Sequence, residues 1–476
     1  MNPSSGGRRR GRSVDERRPS TRPEWRREAG SLWRLAVPVV VVQLGLMGMG
    51  VADTVMVGRV SAEALAAVAM GGLYALAISI FGMGILMALD PLVAQAVGAR
   101  DGVAVARSVQ RGLLIATMLA VPASLALLPA GAVLRVLRQP EAIVPDAAGY
   151  VRALIPGMFP LFAFIVLRQS LQAMHRMRPV VATIVIANLA NIVLNWILIF
   201  GRLGAPAYGP VGAAVATSLS RWLMAAALLA LGWRALGPSL RPLRREAFAL
   251  KPLGRTVMIG LPIGAQYFLE ISAFSLIALF MGWLGTREIA GHQIALNLAS
   301  VSFMVPLGIS AAASVRVGNA VGRGDPAGAR SAAMLALVFG TAFMGLCGGL
   351  FILAPGPLAR LYTNEPAVAA LAATLIPIAG FFQVFDGIQV VSIGIMRGLG
   401  DTRTPMIVNV LGFWLLGIPL SAWLGFGAGL GARGLWWGLV AALACVAVFL
   451  VVRVRIRLRG EMTRLVVDEE PAREVP

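Results

Sequence analysis

The chain has 476 residues, of which 58% are hydrophobic and only 13% charged, with a mean hydropathy of +0.79. Soluble domains carry about 25% charged residues, so an ordinary soluble architecture is excluded. The formal net charge is +20, but Lys251 is the only lysine and most arginines fall in short connectors or at the two ends, a pattern of membrane topology signals; no nucleic-acid partner is expected.

Residues 1–30 are polar and rich in Arg, Pro, Ser and Gly. They lack an apolar stretch, which predicts a disordered basic cytosolic tail and no cleavable signal peptide. Twelve apolar runs follow, at 33–57, 63–89, 105–128, 146–170, 179–201, 211–233, 254–284, 289–313, 331–353, 366–396, 405–426 and 434–453. Each is about as long as a bilayer crossing requires, and each is read as a helix because lipid offers no partner to unpaired backbone groups. The connector 234–253 separates six spans from six. It divides an N-terminal lobe over 31–233 from a C-terminal lobe over 254–455, with a tail over 456–476. An even count places both ends on one side, and the arginine distribution makes that side cytosolic. Cys347 and Cys445 fall inside spans as small buried residues, without disulfide or zinc spacing.

The two halves resemble each other. A shift of 224 positions sets Pro38 on Pro262, Gly58 on Gly282, and VAQAVGARD (93–101) on VGNAVGRGD (317–325). Six spans per half start each half on the same side, so the halves are parallel repeats about an axis along the membrane normal. Transporters built this way hold their sites between or within the repeats and alternate access by rocking one against the other.

Polar residues inside spans are few. Asp53 lies in GVADTVMVG, in span one. Asn191 and Asn195, in ANLANIVLN, are four apart and share a helical face. An acid with amide and hydroxyl oxygens suits a hard cation such as Na⁺; proton exchange and helix capping are the alternatives. Asp90 stands at the inner end of span two. Arg152 and Arg221 are singled out among the arginines within spans. Glu270 sits at the middle of a long run, in QYFLEISAF, where a carboxylate costs roughly 2.5–3.5 kcal/mol to insert. Asp386 lies in FQVFDGIQVV between Gln383 and Gln389. If Glu270 and Asp386 share a cavity they cannot both ionise cheaply. They would bind a proton, Na⁺ or a cationic compound in competition, as an antiporter requires. In GHQIALN, Gln293 and Asn297 are supporting candidates beside His292, a packing residue. His175 falls in a connector, and GLMGMG, Met83 and Met87 read as packing. The lone lysine excludes a P-loop and no metalloprotease motif occurs. No enzyme and no cofactor are therefore expected, and an ion gradient remains as the driving force.

Five segments carry a family likeness: ADTVMVGRVS, ALDPLVAQAVGARD, NWILIFG with GPVGAAVAT, AGHQIALNLAS, and IMRGLGDTRTP. Together, over about residues 31–455, they resemble the MATE family of multidrug and toxic compound extrusion transporters, and Glu270 with Asp386 is similar to its NorM-type branch. The resemblance implies an all-α integral membrane fold of twelve transmembrane helices in two six-helix lobes. It also implies efflux of lipophilic or cationic compounds in exchange for Na⁺ or H⁺ by a monomer. It matches Asp53 and Asn191 to the first-half ion site, a possible Na⁺ site, with Thr217 as an oxygen ligand. From position and residue type, ion or proton coupling is expected of Asp53, Glu270 and Asp386, with Asn195, Gln293, Asn297 and Gln383 as supporting candidates. Asn195 stands where some relatives carry Asp, and Phe382 where some carry Tyr. A bacterial inner membrane is the expected location. A lipid or oligosaccharide-lipid flippase of the same superfamily is the alternative and would want arginines in its cavity. A membrane enzyme using the paired acids has no third chemical group to support it.

Overall fold

A computed structural model describes residues 24–468. Most of the tail expected over 1–30 lies outside these residues; from Glu24 the chain is already helical, a correction to that expectation. Twelve helices long and apolar enough to cross a membrane follow. They are α1 Glu28–Gly58, α2 Ala62–Gly98, α3 Gly102–Leu127, α4 Val144–Ala173, α5 Met177–Phe200, α6 Gly209–Leu240, α7 Leu250–Leu284, α8 Thr286–Gly322, α9 Pro326–Leu353, α10 Pro366–Gly398, α11 Arg403–Gly427 and α12 Gly431–Arg459. Glu28 at the start of α1 pairs with Arg316 near the end of α8 at 2.5 Å, and Arg330 at the start of α9 bonds the Leu458 carbonyl at the end of α12 at 2.7 Å. Both described ends of the chain therefore lie on one side of the bundle, called proximal below.

The helix starts are chemically specified. Asp101 accepts from the Ala104 amide at 2.9 Å, and Asp325 accepts from the Gly328 amide at 2.8 Å. Both are N-caps, and they occupy equivalent positions in the two repeats. Ser61 caps α2 in the same way. Three spans depart from regular α-helix. α2 is broken by a turn at Met87–Ala88, α4 by a 3₁₀ turn at Ile155–Gly157, and α11 winds as π-helix over Val410–Gly417 and Trp423–Gly427.

α2 and α8 run to 98 and 322, beyond the ends read at 89 and 313. The extensions are polar for lipid but pack against each other. A Cβ on Gly98 would collide with the Asn319 carbonyl oxygen, and one on Gly322 with the Gln95 carbonyl oxygen. The two contacts are the same contact exchanged by the 224-residue shift. Farther along, Gly84 presses on Gly264 while Gly308 presses on Val40, so α2 meets α7 as α8 meets α1. Small residues permit such close backbone approach between membrane helices. Amides then bridge the halves. Gln95 Nε2 donates to the Gly398 carbonyl at 2.9 Å and Asn319 Nδ2 donates to the Ala94 carbonyl at 2.7 Å. His175 meets Asn319 Oδ1 at 2.6 Å.

The segment after α12 crosses the proximal face as a strap. The Leu465 amide donates to Gln95 Oε1 at 2.6 Å, Arg464 pairs with Asp101 at 2.9 Å, and Arg255 donates to the Val467 carbonyl at 3.0 Å. Asp468 pairs with the buried Arg111 at 2.6 Å. The strap thus touches α2, α3 and α7.

Two of the smaller expectations change. Cys445 is exposed and Cys347 half-buried, because both lie on helix faces turned away from the bundle. Arg152 is exposed, whereas Arg221 turns inward.

Gly322→Ala should force the proximal ends apart, lowering stability by about 1–3 kcal/mol as overpacking does. Val317 is fully buried at this face. Val317→Cys, in a background lacking Cys347 and Cys445, should then label faster with maleimide. Gly345→Ala, where a Cβ meets nothing, is the control, and equal labelling rates would refute closure by this contact. Burial holds the His175 imidazole below its ordinary value of 6.5, with Arg316 and Arg323 adding to the effect and the Asn319 bond and Glu28 opposing it. The unfolded chain then binds the extra proton first, so this contribution is full above about pH 6.5 and is lost as pH falls. The thermal midpoint of His175→Gln should drop less than that of the wild type between pH 7.5 and 5.5; parallel curves would refute this.

Candidate functional site

Asp53 is 6% exposed, one and a half turns before the end of α1. Asn195 Nδ2 donates to its Oδ1 at 2.5 Å and Thr217 Oγ1 to its Oδ2 at 2.8 Å. Asn195 Nδ2 also donates to Asn191 Oδ1 at 3.2 Å. The four-residue spacing on α5 aims both amides at one point, and Thr217 faces them from α6, which packs tightly on α5 where Gly212 meets the Leu198 carbonyl. Asn195 Oδ1 has no hydrogen-bond partner. The cluster thus offers carboxylate, amide and hydroxyl oxygens, a donor set that fits a hard monovalent cation; equally, the carboxylate can hold a proton. Arg221 is close enough to interact electrostatically with Asp53.

In the second half, Glu270 is held by neutral amides. Asn409 Nδ2 donates to Oε2 at 3.2 Å and Gln389 Nε2 to Oε1 at 3.4 Å. Gln389 also donates to Asn409 Oδ1 at 3.2 Å. Gln266, one turn before Glu270, faces it too. Asp386, one turn before Gln389 on α10, is 9% exposed and interacts electrostatically with Glu270. Asn409 directly precedes the first π-helical stretch of α11, a distortion frequent at functional sites.

The structure brings together Asp53, Asn191, Asn195 and Thr217, and separately Glu270 and Asp386. Three other candidates stand apart. Gln383 is buried but accepts from Ser302. Gln293 and Asn297 lie on an exposed face of α8, where Asn297 bonds only the Gln293 carbonyl. His292 is buried against Trp436, ring centroids 5.6 Å apart. Sequence reasoning missed Asn409 and Gln266 as partners of Glu270. Asn409, the one polar side chain in MIVNVLGFW, was the available signal.

A cavity of about 740 Å³ lies between the halves, lined from α1, α2, α4, α6, α7, α8 and α10. The lining does not include Asp53, Glu270 or Asp386; its carboxylate is Asp90, and Arg168, Arg221 and Arg397 line it as well. This corrects the expected cavity of a few acids, for which Arg152 and Arg221 are the arginines singled out. Arg168 and Arg397 turn into protein, so the cost of lipid contact does not apply. Met47, Met83, Met87 and Met304 also line the cavity, an adaptable apolar wall.

A family model described as MatE matches residues 38–197 and again 262–423. The two matches begin 224 positions apart (262 less 38). The chain is 39% identical over 445 residues to the multidrug resistance protein NorM of Burkholderia vietnamiensis, covering 91% of this chain and 95% of that one. It is 35% identical over 439 residues to the multidrug resistance protein MdtK of Edwardsiella ictaluri, covering 90% and 95%. The crystal structure of the eukaryotic MATE transporter AtDTX14 superposes with a TM-score of 0.83 at 25% identity, covering 91% of this chain and 98% of that one.

If the amide cluster holds Glu270 as described, Asn409→Leu should cost about 1–3 kcal/mol by leaving buried polar groups unpaired. In a double-mutant cycle with Glu270→Gln the two changes should be non-additive by more than about 0.5 kcal/mol. Additive thermal shifts would break the assignment.

Proposed function

This chain belongs to the MATE family, and on that premise we propose that it is a secondary active multidrug exporter, exchanging amphipathic compounds for Na⁺ or H⁺ by alternating access. The observation that carries the reading is the Glu270–Asp386 pair. Its hydrogen-bonding partners are neutral amides and one guanidinium, Arg397, acts on Glu270 from a distance, so two acids face a single protein cation and an ion taken from outside balances the second. A proton or Na⁺ binding there changes the local charge, and in a medium of low dielectric that change is felt strongly. Asp53, with Asn191, Asn195 and Thr217, forms the corresponding site of the first half. Coupling through two separate sites gives each half its own bias toward one arrangement, and rocking of the halves follows. The multidrug relatives named above support small-molecule export.

The proximal side is the cytosolic one on this reading, since arginines concentrate there. The bacterial inner membrane and a functional monomer complete the proposal. Flipping of a lipid headgroup is the second reading, and the observation favouring it is the set of arginines lining the cavity.

In proteoliposomes, an inward gradient of either Na⁺ or protons should drive efflux of a fluorescent lipophilic cation. Glu270→Gln, Asp386→Asn and Asp53→Asn should each cut the rate by about tenfold or more, the usual scale for loss of an essential proton-transfer group. Undiminished transport by Glu270→Gln would remove it from the coupling machinery. No transport under either gradient, with acceleration of phospholipid exchange instead, would favour the flippase.

A further inference from the structure

A second cavity, of about 700 Å³, lies at the proximal face, away from the space between the halves. Its walls are the first turns of α7 and α11, the last turns of α12, the connector 400–402 and the strap. The strap fits there because Gly400, at φ +84°, has no side chain to collide with Leu465. Four arginines line the cavity, Arg255, Arg403, Arg453 and Arg457, beside one carboxylate, Asp401. That carboxylate is already engaged at both oxygens. Its Oδ1 accepts from the Thr404 amide at 3.1 Å, and its Oδ2 from Thr404 Oγ1 and Arg453 Nη2, both at 3.0 Å. Arg457 Nε stands 3.7 Å from the same Oδ2. Arg255 holds the strap through the Val467 carbonyl. Leaving Arg255 out of the count, three guanidiniums face one acid, and among the described residues Arg403 pairs with no carboxylate. The Nε atoms of Arg453 and Arg457 are buried without a hydrogen-bond partner among these residues. Unpaired buried donors are costly, and guanidinium forks match phosphate oxygens bidentately.

The surroundings select the source of the phosphate. The arginines stand at the ends of membrane-crossing helices, where lipid headgroups lie, and basic pockets between such helices are recurrent headgroup sites. Apolar side chains continue the same helix faces deeper into the span at four-residue spacing. Ile407 and Leu411 follow Arg403 on α11, Phe449 lies one turn deeper than Arg453 on α12, and all three are exposed. Met258, also exposed, lines the pocket itself. Acyl chains need such a surface and a soluble phosphate does not. We propose that this pocket binds the phosphate of an anionic phospholipid, with the headgroup among Arg403, Arg453 and Arg457 and the acyl chains along the exposed faces of α11 and α12. The bound phosphate supplies the charge that Asp401 alone does not. The inference goes beyond the exporter reading and does not depend on it.

The test titrates short-chain phosphatidylglycerol, or phosphatidylcholine with the same acyl chains, into the full chain in neutral detergent and counts bound lipid by native mass spectrometry. Phosphatidylglycerol should bind about tenfold or more tighter, because the choline cation is repelled by the arginines. Arg403→Gln and Arg457→Gln should each weaken phosphatidylglycerol about fivefold, the scale of one arginine at an anionic surface, and move phosphatidylcholine less than about twofold. Arg403→Gln breaks no ion pair among the described residues and decides the matter if Arg457→Gln does not fold. Arg455→Gln removes the same charge from an exposed position on α12 that does not line the pocket, and should change neither affinity. Equal binding of the two lipids, or a loss with Arg455→Gln as large as with Arg403→Gln, overturns the proposal. Inorganic phosphate is the competing arm. If it displaces phosphatidylglycerol at similar concentration, the pocket belongs to a soluble phosphate and the lipid proposal fails; retention of the lipid under a large excess of phosphate supports it.

Discussion

Two backbones touch where Gly98 meets Asn319 and Gly322 meets Gln95, and the arrangement of the two halves depends on that contact. Side chains on those glycines would wedge the proximal ends apart. Their absence lets Gln95 and Asn319 reach the opposite half and bond to its backbone. Amide-to-carbonyl bonds of this kind persist because no water competes for them, and an unpaired alternative is costly in an apolar medium. The cavity begins immediately beyond, since Asp90 lies on the same helix as Gln95 and Arg397 directly precedes the carbonyl that Gln95 holds. Polar closure and polar cavity floor are one continuous feature.

The duplication explains the frame but not the chemistry. Equivalent glycines, N-caps and bridging amides recur at a constant offset. The acid sites do not: the first half presents one carboxylate among amides and a hydroxyl, the second two carboxylates among amides. The cavity is also lopsided, with Arg397 from the second half facing Arg168 and Arg221 from the first. A symmetric scaffold thus carries asymmetric sites, which allows each half to respond to a different occupant.

The twelve spans and the repeat were legible because both are written in hydropathy and in small-residue spacing. The ends of α2 and α8 were not. Their polar residues satisfy one another across the interface, and a hydropathy reading treats them as facing solvent. The same reasoning hid Arg168 and Arg397. FIVLRQSLQ and IMRGLGD each display their arginine plainly, but nothing in the sequence shows that these arginines face a cavity between helices. Asp53, Asn191, Asn195 and Glu270 could be picked out since each interrupts an apolar run. Their partners on other helices, Asn409 above all, required knowledge of which helices adjoin. Gln293 and Asn297 carried the same signal as Asn191 and Asn195, the same kind of spacing on one face, yet the fold leaves them exposed and apart from the acid sites. Spacing selects a face and says nothing of what that face meets.

The strap across the proximal face follows all twelve spans in the chain. During synthesis it therefore emerges after them, and the bonds it makes to Gln95, Asp101, Arg107 and Arg111 form after the first half has been threaded into the bilayer. Until then Arg111 has no carboxylate beside it, and Gln95 lacks one of its two partners. This side of the molecule is accordingly completed late: the first half is made before the strap that bonds to it.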